Sequence, residues 1–71
     1  MDKAQLAKRL SVKTQLSEAE ASAFVDAFSS ILADYFKKGE KVVIAEFGSF
    51  FVKDDKSVQF NPSAQLKELI G

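Results

Sequence analysis

The first residues of the chain carry apolar side chains at the spacing of an amphipathic helix. Asp2 with Gln5 three residues later is a capping-box signature, and Leu6 and Leu10 follow on one face. This pattern predicts a first helix that runs to about Thr14.

A second helix is predicted by the longest periodic pattern in the chain. Ser17 and Glu20 form another capping-box signature, and apolar positions then continue at helical spacing until Gly39. The stripe is wider than packing against one short helix requires, so we expect its excess to meet a second subunit. The alternative is that the chain's own strands cover it. The stripe consists of Ala21, Phe24, Val25, Phe28, Ile31, Leu32, Tyr35 and Phe36.

Three short strands and a last helix are predicted in the second half. The β-branched run Val42–Ala45 is broken at Gly48, and Phe50–Val52 resumes it as a hairpin partner. A turn over residues 54–56 leads to a third strand, Ser57–Phe60.

Beyond the third strand, Asn61 is predicted to cap a helix with Pro62 at its first position, and this helix ends at Gly71. The predicted fold class is therefore α+β, in the order helix, helix, three antiparallel strands, helix. We expect one domain over residues 1–71.

Length and composition favour an oligomer. A chain of 71 residues buries only roughly 60% of its unfolded surface. Because the chain has no cysteine, disulfides and thiolate metal sites are excluded, and we expect an obligate dimer. No apolar run approaches the roughly 18 residues of a membrane span, and the first residues lack the order of a signal peptide. We therefore expect a cytoplasmic protein with no membrane partner.

The charge balance argues against a dedicated nucleic-acid binder. Ten basic and ten acidic residues give a net charge of zero and a pI near 6.2, whereas such binders usually carry a basic stripe. Lys37, Lys38 and Lys41 lie close together in the sequence. They are either a solvated helix end, where lysine favours the helix dipole, or a group that contacts phosphate.

Catalysis has little support in the sequence. There is no histidine or cysteine, and Asp54 with Asp55 is typical of a turn rather than of an acid/base or metal pair. We predict that the protein is not an enzyme and has no cofactor or metal. Most phenylalanines occupy inward periodic positions without interleaved Arg or Lys, which favours core packing over stacking platforms for single-stranded nucleic acid.

The stretch Phe47-Gly48-Ser49-Phe50, followed ten residues later by Phe60-Asn61-Pro62, resembles the HU/integration-host-factor family of dimeric DNA-bending proteins. Leu6, Asp26, Gly39, Lys41 and Leu66 also match. The resemblance covers nearly the whole chain and implies an intertwined dimer with a two-chain sheet. The dimer core expected from it consists of Phe28, Ile31, Leu32, Ile44, Phe47, Phe50 and Phe60.

The chain departs from this family where the family bends DNA. Family members insert a long basic β-arm with a proline wedge, and here only Phe51 to Gln59 stands in its place. A hairpin from Val52 to Val58, at roughly 3.3 Å per residue, projects only about 10 Å. Glu46 also stands where the family usually has glycine. We therefore expect a variant with a truncated arm and little DNA bending.

Strand alternation divides the sheet residues into two sets. If Ile44, Phe50, Val52, Val58 and Phe60 face the core, the opposite set points outward and forms a partly apolar face suited to a protein contact. The alternative is that Gly48 shifts the alternation and Phe51 is buried. The outward set is Val43, Ala45 and Phe51.

Two function classes remain. The first is a nucleoid-associated homodimer, or a heterodimer, that binds double-stranded DNA weakly and without sequence preference. The second is a protein-interaction or regulatory dimer, for example one that pairs with a full-length relative through the outer sheet face. The candidate phosphate contacts are Lys3, Lys37, Lys38, Lys41, Lys53, Lys56 and Lys67, with Ser63 at the start of the last helix.

Overall fold

The helix α1, Lys3–Thr14, begins and ends as its sequence predicts. In the computed structural model, which describes residues 1–71, the Asp2 carboxylate accepts from the Gln5 amide at 2.9 Å. The Gln5 side chain accepts from the Asp2 amide in return, which completes the capping box. Gln15 ends the helix in the left-handed conformation, with φ 64°.

The helix α2, Glu18–Lys37, is the longest element. The Ser17 hydroxyl accepts from the Glu20 amide at 3.0 Å, and the Glu20 carboxylate accepts from the Ser17 amide at 2.9 Å. The second predicted capping box is thus confirmed. These two hydrogen bonds lower the pKa of Glu20, because both favour the ionised carboxylate.

The sheet has three antiparallel strands in the order β1 (Val42–Ile44), β2 (Gly48–Val52) and β3 (Val58–Pro62). Phe50 pairs with Val42 on one side and with Phe60 on the other. β2 is the central strand, and β1 and β3 are edge strands within the chain.

Several boundaries differ from the sequence prediction, and β3 begins at Val58 rather than at Ser57. Ala45 lies in the turn after β1, and Gly48 begins β2 instead of breaking the hairpin. Asn61 and Pro62 extend β3, so the prediction that they start the last helix was wrong. Pro62 is tolerated there because an edge strand has a side on which no amide donor is needed.

The helix α3, Ala64–Ile70, is capped by Ser63. The Ser63 hydroxyl accepts from the Leu66 amide at 3.0 Å, which is the role that the sequence assigned to Asn61. The element order is as predicted, and the fold class is α+β.

The chain contains two compact units, Met1–Ile31 and Leu32–Gly71. The first holds α1 and most of α2, and the second holds the end of α2, the sheet and α3. None of the helices is both long and apolar enough to cross a membrane.

Candidate nucleic-acid interface

Three phenylalanines meet on one face of the sheet, which we call the inner face. The Phe50 and Phe60 ring centroids are 4.8 Å apart, and the Phe47 ring lies 5.2 Å from Phe60 and 6.3 Å from Phe50. These separations are within the range of favourable aromatic pairs. The rings therefore pack against each other.

Gly48 allows this packing. Its φ is +154°, and a Cβ at this position would lie 2.7 Å from the Phe60 ring and would also overlap the Asn61 carbonyl oxygen. Only glycine can occupy this position of β2 without displacing the Phe60 ring or the Asn61 carbonyl oxygen. The glycine that this chain shares with the resembled family at position 48 is therefore required here for steric reasons.

The opposite side of the sheet, which we call the outer face, is uncharged along its strands. The register places Val43, Ser49 and Asn61 side by side, with Phe51 opposite Gln59. Val43 is 68% exposed, whereas Phe51 is half-buried. Gly48 does not shift the alternation, so Phe51 lies on the outer face; Ala45 is exposed in the turn beyond it.

None of the predicted dimer-core residues is buried within the single chain. Phe28 is 40%, Ile31 54% and Phe47 41% exposed. The remaining four are only half-buried: Leu32, Ile44, Phe50 and Phe60. The fully enclosed hydrophobic side chains are two alanines, Ala7 and Ala21. A chain with seven phenylalanines and none of them enclosed leaves much apolar surface to be covered.

The turn between β2 and β3 is short. The Lys53 amide donates to the Ser57 carbonyl at 2.8 Å, and the Lys56 amide donates to the Lys53 carbonyl at 2.9 Å. Lys56 takes the left-handed conformation, with φ 72°, which is typical of the last residue of a three-residue hairpin loop. The two strands therefore extend no further than the Val52–Val58 pair.

The structure separates the lysines that are neighbours in sequence. Lys37 lines a groove at the β2–β3 turn, whereas the Lys38 ammonium lies over the Tyr35 ring, 5.3 Å from its centroid. Lys41 lies by a different shallow groove, which also contains Glu46. Lys37 and Lys41 therefore line different grooves, and the position of Lys38 is described by its contact with the Tyr35 ring.

Three of the candidate lysines line one groove. Lys53 and Lys56 from the β2–β3 turn line the same groove as Lys37, together with one carboxylate, Asp54. All three lysines were predicted from the sequence as candidate phosphate contacts. The sequence did not indicate that they share a site, because Lys37 is far from the other two along the chain.

The remaining candidate phosphate contacts, Lys3, Ser63 and Lys67, lie outside these grooves. The Lys3 ammonium forms an ion pair with Asp26 at 2.6 Å, and both side chains are more than half exposed. The Ser63 amide donates to the Phe47 carbonyl at 2.9 Å and is not free for a phosphate, whereas the Ser63 hydroxyl accepts from the Leu66 amide and keeps its own O–H donor. Lys67 lies in the last turn of α3.

Comparison with known proteins agrees with this architecture. Residues 1–57 match the model of the family described as bacterial DNA-binding protein. The chain is 43% identical over 53 residues to the integration host factor subunit alpha of Albidiferax ferrireducens, which is 75% of this chain and 52% of that protein. The corresponding subunit of Xanthomonas campestris is 40% identical over 50 residues, 70% of this chain and 50% of the relative. The chain spans about half the length of these curated relatives.

Solved structures show the same fold. HU from Thermotoga maritima superposes with a TM-score of 0.90 at 31% identity, and its V42I mutant with a TM-score of 0.94 at the same identity; each match covers the whole of both chains. An HU from Anabaena crystallised with DNA has a TM-score of 0.86 at 18% identity, over 99% of this chain and 97% of that one, which shows the shared fold. From the sequence, the fold and these matches, the chain belongs to the bacterial DNA-binding protein family of HU and integration host factor.

Proposed function

We propose that this chain is a non-enzymatic DNA-binding protein of the nucleoid-associated type, acting in the cytoplasm as one HU-like domain over residues 1–71. It forms a homodimer and binds double-stranded DNA weakly, without sequence preference and without strong bending. The observation that carries the proposal is the family fold built on the Phe47, Phe50 and Phe60 cluster.

Dimer formation is supported by the apolar surface that the single chain leaves exposed. Along α2, Phe28 and Ile31 are exposed, and the aromatic cluster on the inner face is only half-covered. A second copy would cover these side chains and supply the burial that 71 residues lack. A heterodimer is the alternative, because the curated relatives are named as one subunit of integration host factor.

Weak and nonspecific binding is supported by the charges. The chain has a net charge of zero, and its exposed cations are mostly lysines, which contact phosphates as point charges. The candidate lysines that lie outside the Lys3–Asp26 ion pair are Lys37, Lys38, Lys41, Lys53, Lys56 and Lys67. Phosphate contacts fix a protein on the duplex but carry no sequence information.

Little bending is expected because the chain has neither a reaching hairpin nor a wedge. β2 and β3 join through the turn Lys53–Ser57, and the single proline, Pro62, pairs with Gly48 at the other end of β3. Kinking a duplex requires an apolar wedge that offsets the energy of unstacking a base step. That the hairpin is shorter than in the family stays a prediction from the sequence resemblance.

Energy transfer between dyes at the two ends of a duplex tests this proposal. Fluorescence anisotropy on the same duplex, labelled once, first establishes the protein concentration that saturates it. At that concentration we expect anisotropy to rise while end-to-end transfer stays near its value for free DNA. A large increase in transfer at saturation would show bending and overturn this part of the proposal.

A second candidate function is a protein contact through the outer face. The exposed Val43 and the half-buried Phe51 favour it, since apolar residues on an uncharged face suit a protein better than a phosphate backbone. The partner on this proposal is a longer member of the same family. Mixing the two purified proteins and measuring their association by sedimentation, with Phe51→Asp as the disrupting variant, tests it.

A further inference from the structure

The turn between β1 and β2 holds a glutamate in a conformation that favours glycine. The Phe47 amide donates to the Ile44 carbonyl at 3.1 Å, which closes a four-residue turn. Glu46 is the third residue of this turn, and its φ of 66° lies in the left-handed region. Glycine or asparagine usually occupies the third position of such a turn, because a larger side chain is disfavoured at positive φ. Glycine would therefore suit this backbone better than glutamate.

The Glu46 side chain provides no structural contact that would explain its presence. Other carboxylates of the chain have such contacts: Asp26 forms an ion pair, and Glu20 and Asp55 accept hydrogen bonds from serines. Glu46 is exposed and forms no ion pair. Residues held in disfavoured backbone conformations occur often at functional sites. The charge of Glu46, rather than its packing, is therefore the property that calls for an explanation.

Glu46 lines the shallow groove beside the β1–β2 turn. The other charged residue of this groove is Lys41, which directly precedes β1, and the remaining polar side chains are neutral: Ser49, Asn61 and Ser63. The Ser63 hydroxyl keeps its own O–H donor, although it also caps α3. The groove thus carries no net charge, whereas without Glu46 it would be positive and would hold a hydroxyl donor for an anion.

We propose that Glu46 limits the binding of duplex DNA at this groove. Its carboxylate offsets the charge of Lys41 and repels a phosphate that approaches the Lys41 ammonium and the Ser63 hydroxyl. Glu46 and Lys41 form no direct ion pair, so the carboxylate acts through its field on the ligand. This inference rests on the proposed function and deepens it, because it names one residue that keeps the binding weak.

Coulomb's law gives the size of the expected effect. Two like unit charges about 4 Å apart in water repel each other enough to weaken binding about fivefold. The effect should be largest at low salt, because salt screens charges that are exposed to solvent. For a dimer that contacts one duplex with both grooves, the two carboxylates together would weaken binding up to about 25-fold.

The substitution Glu46→Gln tests the inference, because it removes the charge and keeps the length of the side chain. The matched control is Glu68→Gln, which removes an exposed carboxylate that does not line the groove. The probe is a short labelled duplex, titrated by fluorescence anisotropy over a range of salt. At low salt we expect Glu46→Gln to strengthen binding by about fivefold for each groove that contacts the duplex, and Glu68→Gln to change it less.

A second variant guards against an effect of the turn backbone. Glu46→Gly also removes the charge, and it places at this φ the residue that accepts it most readily, so the melting temperature should rise. We expect Glu46→Gly to strengthen duplex binding as Glu46→Gln does. If neither variant binds the duplex more tightly than Glu68→Gln does, the inference is wrong.

The substitution Lys41→Gln locates the effect within the groove. In a chain that carries Lys41→Gln, adding Glu46→Gln should increase affinity less than it does in the unmodified chain, because residues that act on one ligand are not additive. Equal gains in both chains would show that Glu46 acts only through the total charge of the protein, which would overturn its role at this groove.

The outcomes separate this inference from the proposed function. If the unmodified protein binds the duplex and both Glu46 variants behave like Glu68→Gln, the inference is wrong and DNA binding stands. If only the Glu46 variants bind the duplex at low salt, the inference stands and the proposed function of the unmodified chain is wrong. If none of these proteins binds at low salt, both are overturned.

Discussion

The two faces of the sheet are built from alternate residues of the same strands, yet their chemistry differs. On the inner face Phe50 packs against Phe60, with ring centroids 4.8 Å apart. On the outer face the next residue, Phe51, lies opposite Gln59, and Val43 is largely exposed. Because strands alternate, a slip of one residue would exchange the two sets. The inner face therefore carries the aromatic packing, and the outer face is the surface that we propose for a protein contact.

The largest expected effect comes from truncating neighbouring phenylalanines on opposite faces. Phe50→Ala should lower the free energy of unfolding by about 3 to 5 kcal/mol and leave mostly unfolded chain, because in the proposed dimer Phe50 is buried. Phe51→Ala should cost only about 1 kcal/mol, since its side chain is half-buried. Urea unfolding followed by circular dichroism measures both. Equal losses would show that the outer face is also a core.

A smaller effect is expected from adding a methyl group at Gly48, the β2 residue that lies against the Phe60 ring. Gly48→Ala should lower the free energy of unfolding by about 2 to 4 kcal/mol, through steric overlap and backbone strain. The matched control is Gly39→Ala, where φ is +72° but no atom lies within 4 Å of the added Cβ. It should cost about 1 kcal/mol, by strain alone. Thermal unfolding that shows equal losses would contradict the steric role of Gly48.

The smallest effect on stability is expected on the outer face. Val43→Lys should change the free energy of unfolding by no more than about 0.5 kcal/mol, because its side chain is 68% exposed. If duplex DNA lies along this face, the new lysine should strengthen binding at low salt. Val12→Lys is the control, since Val12 on α1 is similarly exposed at 73%. Binding unchanged by Val43→Lys, as by the control, would favour the protein-contact function for this face.

Local signals in the sequence predicted much of the fold. The two capping boxes, Asp2 with Gln5 and Ser17 with Glu20, define where the helices start, because each depends on residues three positions apart. Strand alternation, by contrast, left two alternatives open for Phe51, and the register decides between them. The capping boxes depend only on residues that are close together in the sequence.

Features that depend on distant contacts were not predicted. The sequence predicted a helix start at Asn61 and Pro62. Both residues pair with β2 and extend β3, and Ser63 caps the helix instead. The groove that Lys37 shares with Lys53 and Lys56 was also not predicted, because Lys37 is far from the other two along the chain. Both features depend on contacts between residues far apart in the sequence, and no local pattern encodes such contacts.

The central claim is that this family member binds duplex DNA through phosphate contacts alone. The most direct test is the salt dependence of duplex affinity for the purified protein, measured by fluorescence anisotropy with duplexes of unrelated sequence. We expect a linear fall of log affinity with log salt, with a slope of about 0.9 for each phosphate contacted, and the same slope for every sequence. Affinity that does not change with salt, or no binding at low salt, would contradict the claim.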